Sequence, residues 1–346
     1  MLDTPISALD TFLGVVPVLS KLLAHDSNVR LICVVDYDGT LVPIVSDPSA
    51  AVANKMTSDV VLSLCSIPNC HVIVSSGRGP VLKSLLGLDP SKIIFDPVAH
   101  SPPCSPRWGG LSLSMAHGFL VEAPFGSLDR SQDIASSVSG AHMALSRAIQ
   151  DDPCCRGATL EKSDASLTCH YRNIVSDPAV GNAALESVVD VVAKRHGLEK
   201  RPGKMAFELR SPLCDKGTAL HWALKHLAPG PLSLTTSLPS STRPSHTRND
   251  VNVIRPVSTL LITIGDDATD EDLHREAEAA LARKVVSTIF TIKVSGEDGP
   301  TTTRARFTLK SPQETLQLLT ELRNEFSTHT SCHSSGTSPL LMSPKR

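Results

Sequence analysis

Two stretches constrain this chain more than any others. Residues 31–40, LICVVDYDGT, and residues 259–272, TLLITIGDDATDED, each run apolar and branched before ending in carboxylates. Short continuous apolar runs suit strands buried on both faces of a parallel sheet. The carboxyl ends of such strands share one edge, so two acidic endings that are far apart in sequence can meet there. A single acid-rich turn is more often a solvated loop. Two on matching strands make a candidate site for a cation or a phosphate group.

Composition narrows the partners. The chain has 346 residues, 41% hydrophobic and 20% charged, ordinary for a globular protein with room for proper cores. A formal net charge of -2 provides no basic field, so nucleic acid and anionic membrane are not expected partners, whereas a small anionic ligand is. No apolar run reaches membrane-spanning length, and residues 9–23 (LDTFLGVVPVLSKLL), broken by polar residues and proline, read as a short docking helix or strand. The nine cysteines are scattered, odd in number and without CxxC spacing. They predict reduced thiols in the cytoplasm, with neither a disulfide framework nor a zinc site.

The pattern along the chain is that of a doubly wound α/β protein. Strands are predicted at 31–36, 71–76, 259–266 and 285–294, with helices at 56–65 and 270–284, the latter acidic at its start and basic at its end. The middle differs. Residues 159–172 read as two strands about a Ser163-Asp164 turn, followed by a helix at 179–196 and a strand at 204–210, an inserted α+β cap. The expected divisions are an N-terminal extension (1–29), core (30–121), cap (122–211), second core part (212–325) and a disordered tail (326–346). Residues 97–110 and 237–256 read as loose insertions.

The chemistry follows from residue types. Asp36 stands where its strand runs out, Asp38 follows two residues on, and Gly39 permits a tight turn. Carboxylates repel a phosphate dianion, so a hard divalent cation such as Mg²⁺ must join them to one. One aspartate could then attack phosphorus, and a second, Asp38, could protonate the leaving oxygen and later activate water. The strand at 71–76 ends in SSGR, where Ser76 and the amides about Gly77 could hold phosphoryl oxygens, and Lys216 of CDKGTAL could balance charge.

DYDGTLVPI, SSGR, DKG and GDDATDED, in this order, resemble the motifs of haloacid dehalogenase-like phosphatases. Together with HYR and GKMAFELR they are similar to those of the trehalose-6-phosphate phosphatase family, over roughly residues 30 to 320. The resemblance implies a Rossmann-like core, a mobile α/β cap, Mg²⁺ and removal of phosphate from trehalose 6-phosphate. It makes Asp36 the nucleophile and Asp38 the acid/base, gives Ser76 and Lys216 the phosphoryl group, and assigns the metal to Asp36, the Asp38 carbonyl and Asp266, with Asp267 and Asp270 in support. Gly77, Arg78, His117 and Gly118 fall near the substrate, and Glu161, His170, Arg172, Lys204 and Glu208 become sugar contacts in the cap.

The cap pattern has an independent basis. Strand alternation puts Ser166, Thr168, His170 and Arg172 on one face, against Leu167, Cys169 and Tyr171. GKMAFELR likewise sets Lys204, Glu208 and Arg210 against Met205, Phe207 and Leu209. A sheet with its polar face turned to the core would roof over a sugar. This chain departs from the family pattern ahead of HYR, where Ser163 occupies the usual lysine position and Lys162 comes one residue early, a shift that reverses the face. Ala116 likewise replaces a polar residue. Other readings are a phosphatase for another sugar phosphate and a non-catalytic regulatory subunit of a trehalose-synthesising complex, and association with a trehalose-phosphate synthase is a possible partnership.

Overall fold

The computed structural model describes residues 8–26, 29–45, 47–88, 110–163, 165–203, 205–228, 258–295 and 303–334. The first part of the chain forms α1 (Ala8–His25), β1 (Arg30–Asp36), α2 (Lys55–Cys65), β2 (Cys70–Ser75), α3 (Leu82–Leu85), β3 (Gly110–Met115), β4 (Leu120–Ala123) and β5 (Gly126–Asp129). Then follow α4 (Ser131–Asp151), β6 (Thr159–Lys162), β7 (Ser166–His170), α5 (Pro178–His196), β8 (Glu199–Gly203) and β9 (Ala206–Arg210). The chain returns through α6 (Lys216–Leu227), β10 (Thr259–Gly265), α7 (Glu271–Ala282), β11 (Thr288–Val294), β12 (Phe307–Leu309) and α8 (Pro312–Ser334).

The core is an eight-stranded sheet in the order β12-β11-β10-β1-β2-β3-β4-β5. It is parallel from β12 to β3 and antiparallel beyond. The strands expected from the apolar runs take four consecutive places, β11, β10, β1 and β2. Within β1, Leu31, Cys33 and Val35 pack with α1, α2 and α8, while Ile32 and Val34 pack with α6 and α7. Helices on both faces explain why the strand is apolar at successive positions. Chain order reverses at β1, which has β10 on one side and β2 on the other. This is the crevice where open α/β sheets place their ligands.

The segment expected to form the cap contains a second sheet, antiparallel, in the order β6-β7-β9-β8. Leu167, Cys169, Phe207 and Leu209 bury against Ile134, Val138, Leu185 and Val189 of α4 and α5. The other face carries Ser166, Thr168, His170, Glu208 and Arg210, as alternation requires.

Several boundaries differ from the sequence reading. α7 ends at Ala282, so its basic residues follow the helix, and Lys284 (φ 59) closes the turn with its N–H on Leu281 O. That turn delays β11 to Thr288. Met205 takes φ 56 and is exposed, so it does not join the apolar face. α8 continues through residues 326–334 because Phe326 packs into the core with Leu322. The N-terminal segment is a helix whose Val15, Leu19 and Leu23 are core residues. Residues 97–109, 237–256 and 335–346 lie outside the described residues. Cys33, Cys65, Cys70, Cys154, Cys155, Cys169 and Cys214 are free thiols, and no described helix is long and apolar enough to cross a membrane.

Candidate active site

The two acidic endings meet. One oxygen each from Asp36, Asp266 and Asp270 lies within 4.8 Å of the others. Asp36 ends β1 and Asp266 follows β10, its hydrogen-bonded neighbour, so pairing of these strands alone brings the carboxylates together. Lys216 Nζ donates to Oδ1 of Asp36 and to Oδ1 of Asp270, both at 2.7 Å, with all three side chains buried. Lys216 can stand here because it opens α6 immediately after the N-cap Asp215, whose carboxylate takes the Thr218 N–H at 2.7 Å in a capping box. Gly217 permits the approach of α6 to α7: a Cβ there would lie 2.4 Å from Asp272 O.

The acidic turn after β10 is shaped by Asp270. Its Oδ2 accepts the backbone N–H of Asp266 (3.0 Å) and Asp267 (3.2 Å), folding the segment over the strand end. Asp267 accepts from Thr269 N and Oγ1, both at 2.7 Å. Lys293, at the end of β11, donates to Asp266 O at 3.1 Å, a contact that a lone lysine inside a buried strand could have signalled. Gly39 completes the wall. It adopts φ 80, and a Cβ on it would sit 2.1 Å from Asp266 Oδ2.

The electrostatics are those of a cation site. Burial, opposed by Lys216 but reinforced by Asp270, Asp266 and Asp267, raises Asp36 well above the usual carboxylate range. Burial and the carboxylates of Asp267 and Asp270 push Asp266 up to about 7. Burial works against the Lys216 ammonium, yet Asp270 and Asp36 outweigh it and hold the group well above its ordinary value. One ammonium thus serves several crowded carboxylates. Hard oxygen donors with excess negative charge, walled by a glycine with no side chain to fill the space, fit a divalent cation.

Asp38 faces elsewhere. Its carboxylate takes Arg78 Nε at 2.7 Å and Nη2 at 2.6 Å, a bidentate pair. Arg78, expected near substrate, therefore contacts the expected acid/base group. The SSGR turn is fixed by its neighbours: Ser76 N donates to Ser114 O (2.8 Å), His117 N to Ser76 O (3.0 Å) and Ala116 N to Arg78 O (2.7 Å). Ser76 is buried, and its Oγ accepts Arg78 N at 3.1 Å. Ala116 (φ 49) and His117 (φ 56) both occupy the left-handed region, a strained arrangement typical of functional loops. His117 lies against Gly77, where a Cβ would be 2.5 Å from Nε2, and Gly118 is buried beside Asp215 O.

The cap's polar face reaches this loop. His117 Nε2 is 3.4 Å from Glu208 Oε1. Burial works to raise Glu208, but His117 and Arg210 outweigh it and keep the carboxyl below its ordinary value. Glu161 and His170 pair at 3.1 Å on exposed ground. β7 ends at His170, so Arg172 lies in the turn beyond it and is exposed, off the strand face expected for it. Lys204 lies outside the described residues. Lys162 bonds Ser139 of α4 at 2.8 Å, on the face opposite Glu161, as its one-residue shift requires. The unpredicted strand β8 adds Arg201, paired in register with Glu208, to the polar face.

Comparison with known proteins agrees with this geometry. The trehalose-phosphatase family model matches residues 34–93 and 107–313. A trehalose-phosphate phosphatase of Mycobacterium avium is 28% identical over 291 residues, 84% of this chain, and this chain spans 61% of that protein's length. Alpha,alpha-trehalose-phosphate synthase (UDP-forming) B of Dictyostelium discoideum is 26% identical over 83% of this chain, which spans 29% of it. In structure, the C-terminal domain of C. albicans trehalose-6-phosphate phosphatase superposes with TM-score 0.60 at 23% identity, over 93% of this chain and 99% of that one. The fold is therefore the one that domain adopts. With the family model covering both acidic strand ends, the SSGR turn and the cap between them, this chain belongs to the trehalose-phosphatase family.

Proposed function

We propose that this chain is a Mg²⁺-dependent phosphoric monoester hydrolase that converts trehalose 6-phosphate to trehalose and phosphate in the cytoplasm. The observation that carries the reading is the meeting of Asp36, Asp266 and Asp270 at the strand ends, with Lys216 bonded to Asp36 and Asp270, beneath a polar cap face that touches the core through Glu208.

Each residue then has a defined part. Asp36 is the nucleophile, forming an aspartyl phosphate as the ester oxygen leaves. Lys216 stays charged and binds a phosphoryl oxygen, while Ser76 Oγ and the Gly77 amide take others. Asp36, the Asp38 carbonyl and Asp266 would hold Mg²⁺, with Asp267 and Asp270 in support. The cation would neutralise phosphoryl charge that the carboxylates alone repel. Asp38 must free one oxygen from Arg78 to protonate the leaving sugar oxygen, and it later takes a proton from water. His117 and Gly118 border the phosphoryl group. Glu161, His170 and Glu208, on the cap's polar face, are assigned to the sugar hydroxyls, which they can hydrogen-bond in place of water, with Arg172 and Lys204 assigned to the sugar by family position alone. The relation to a protein named as a synthase is the ground for proposing a trehalose-phosphate synthase as partner, checked by co-purification.

The test is phosphate release with Mg²⁺ from trehalose, glucose, sucrose and mannose 6-phosphates, with Asp36→Asn and EDTA as controls. Release selective for trehalose 6-phosphate and lost in both controls supports the reading. Selectivity for another sugar moves the error to the cap, and binding without turnover favours a regulatory role.

A further inference from the structure

Arg210 ends β9, the strand that carries Glu208, and its guanidinium points out of the cap. Nη2 donates to Asp272 Oδ2 at 3.3 Å, across the boundary between cap and core, with the side chains 2% and 5% exposed. Nη1 is buried without an acceptor. Among the described residues, the one side-chain hydrogen bond of Arg210 is therefore made to the core and none to its own sheet. Asp272 is fixed in turn. Its Oδ1 accepts Arg275 Nη1 at 2.6 Å, and Arg275 Nη2 reaches Asp215 Oδ2 at 2.7 Å. Asp215 is the N-cap of α6 and directly precedes Lys216. A line of alternating charges thus runs from the cap sheet to the residue beside the phosphate-binding lysine.

A buried arginine–carboxylate pair adds little net stability against apolar packing, because desolvation offsets the attraction. What it does add is direction, since the planar guanidinium and the carboxylate accept few mutual orientations. Glu208 lies two residues before Arg210 on the same face of β9. Fixing Arg210 to Asp272 therefore fixes where Glu208 stands relative to His117.

We propose that Arg210 and Asp272 are positioning residues that seat the cap on the core, so that Glu208 is held over His117 and the strand-end carboxylates. The inference rests on the reading of the cap as the sugar-recognising surface. Neither residue is assigned to the reacting groups.

The experiment uses the full chain with Arg210→Gln and Arg210→Lys, and has two arms. In the first, kinetics with trehalose 6-phosphate are compared with those on p-nitrophenyl phosphate, which has no sugar for the cap to hold. Arg210→Gln is expected to raise KM for the sugar phosphate about tenfold or more while leaving kcat/KM for the aryl phosphate within about twofold, with Arg210→Lys in between. Equal losses on both substrates, or none on either, would overturn the proposal. In the second arm, hydrogen exchange without ligand is expected to quicken over residues 206–218 in Arg210→Gln. Unchanged exchange there overturns the proposal whatever the kinetics. Should Arg210→Gln not fold, Arg210→Lys, which keeps the charge, supplies both readings. Should the wild-type protein release no phosphate from trehalose 6-phosphate, the functional reading fails and the exchange arm alone decides the seating role.

Discussion

His274 offers a way to weigh the packing beneath the acidic motif. It is buried on α7, with Nδ1 2.9 Å from Thr263 Oγ1 of β10. Burial, aided by the ammonium groups of Lys293 and Lys216, lowers its pKa from 6.5 to about 3. The folded state thus keeps the imidazole neutral where the unfolded chain would protonate it. Stability from this group is complete above about pH 6.5 and drains away as pH falls toward 3. At pH 5 the folded ring is neutral and the unfolded ring almost wholly charged, a difference of about 1.5 pH units or about 2 kcal/mol. Buried carboxylates act oppositely: Asp266, raised to about 7, adds stability as pH falls below 7. Wild type and His274→Asn share that contribution, so the comparison of the two isolates the histidine. Urea unfolding in EDTA, followed by far-UV circular dichroism, is compared at pH 7.5 and pH 5.0. The variant should start less stable, yet lose about 2 kcal/mol less on acidification, about 1 M in urea midpoint. Identical pH dependence in the two proteins would refute the claim that the ring is held neutral.

Further outcomes follow from the site. Gly39→Ala places a Cβ 2.1 Å from Asp266 Oδ2 at φ 80. It should cost about 1–2 kcal/mol of stability and about a hundredfold in phosphate release, and wild-type turnover would show that the turn is not part of the site. Because carboxylates crowd around Asp36, Mg²⁺ at about 100 times its Kd should stabilise the protein by about 3 kcal/mol, read as a rise in Tm that Asp266→Asn removes. Glu208→Gln replaces the carboxylate that faces His117, and should raise KM for the sugar phosphate about tenfold with aryl phosphate hydrolysis unchanged. Equal effects on both substrates would place Glu208 in the core chemistry.

The central sheet was legible because β1, β2, β10 and β11 are apolar at successive positions, a pattern that buried parallel strands require. The peripheral strands were not: β3 follows the Pro97 to Gly110 stretch, and β4, β5 and β12 span four or fewer residues, too short for a periodic signal. β8 carries EKRPG, whose charges and proline argue against a strand, yet as an edge strand it tolerates them. The polar and apolar faces of β7 were read correctly from alternation. Arg172 was misplaced because nothing local marks His170 as the last residue of the strand.

The sequence by itself determined that two acid-tipped strands exist, that Lys216 opens a helix and that the cap presents one polar face, since each depends on residue type and local period. Only the tertiary structure decided that Asp270 shares Lys216 with Asp36, that Arg78 takes Asp38, and that Arg210 leaves its own sheet for Asp272. Periodicity fixes which way a side chain points. What it meets there depends on strand order and on how helices and cap settle against the sheet, and those are properties of the whole chain.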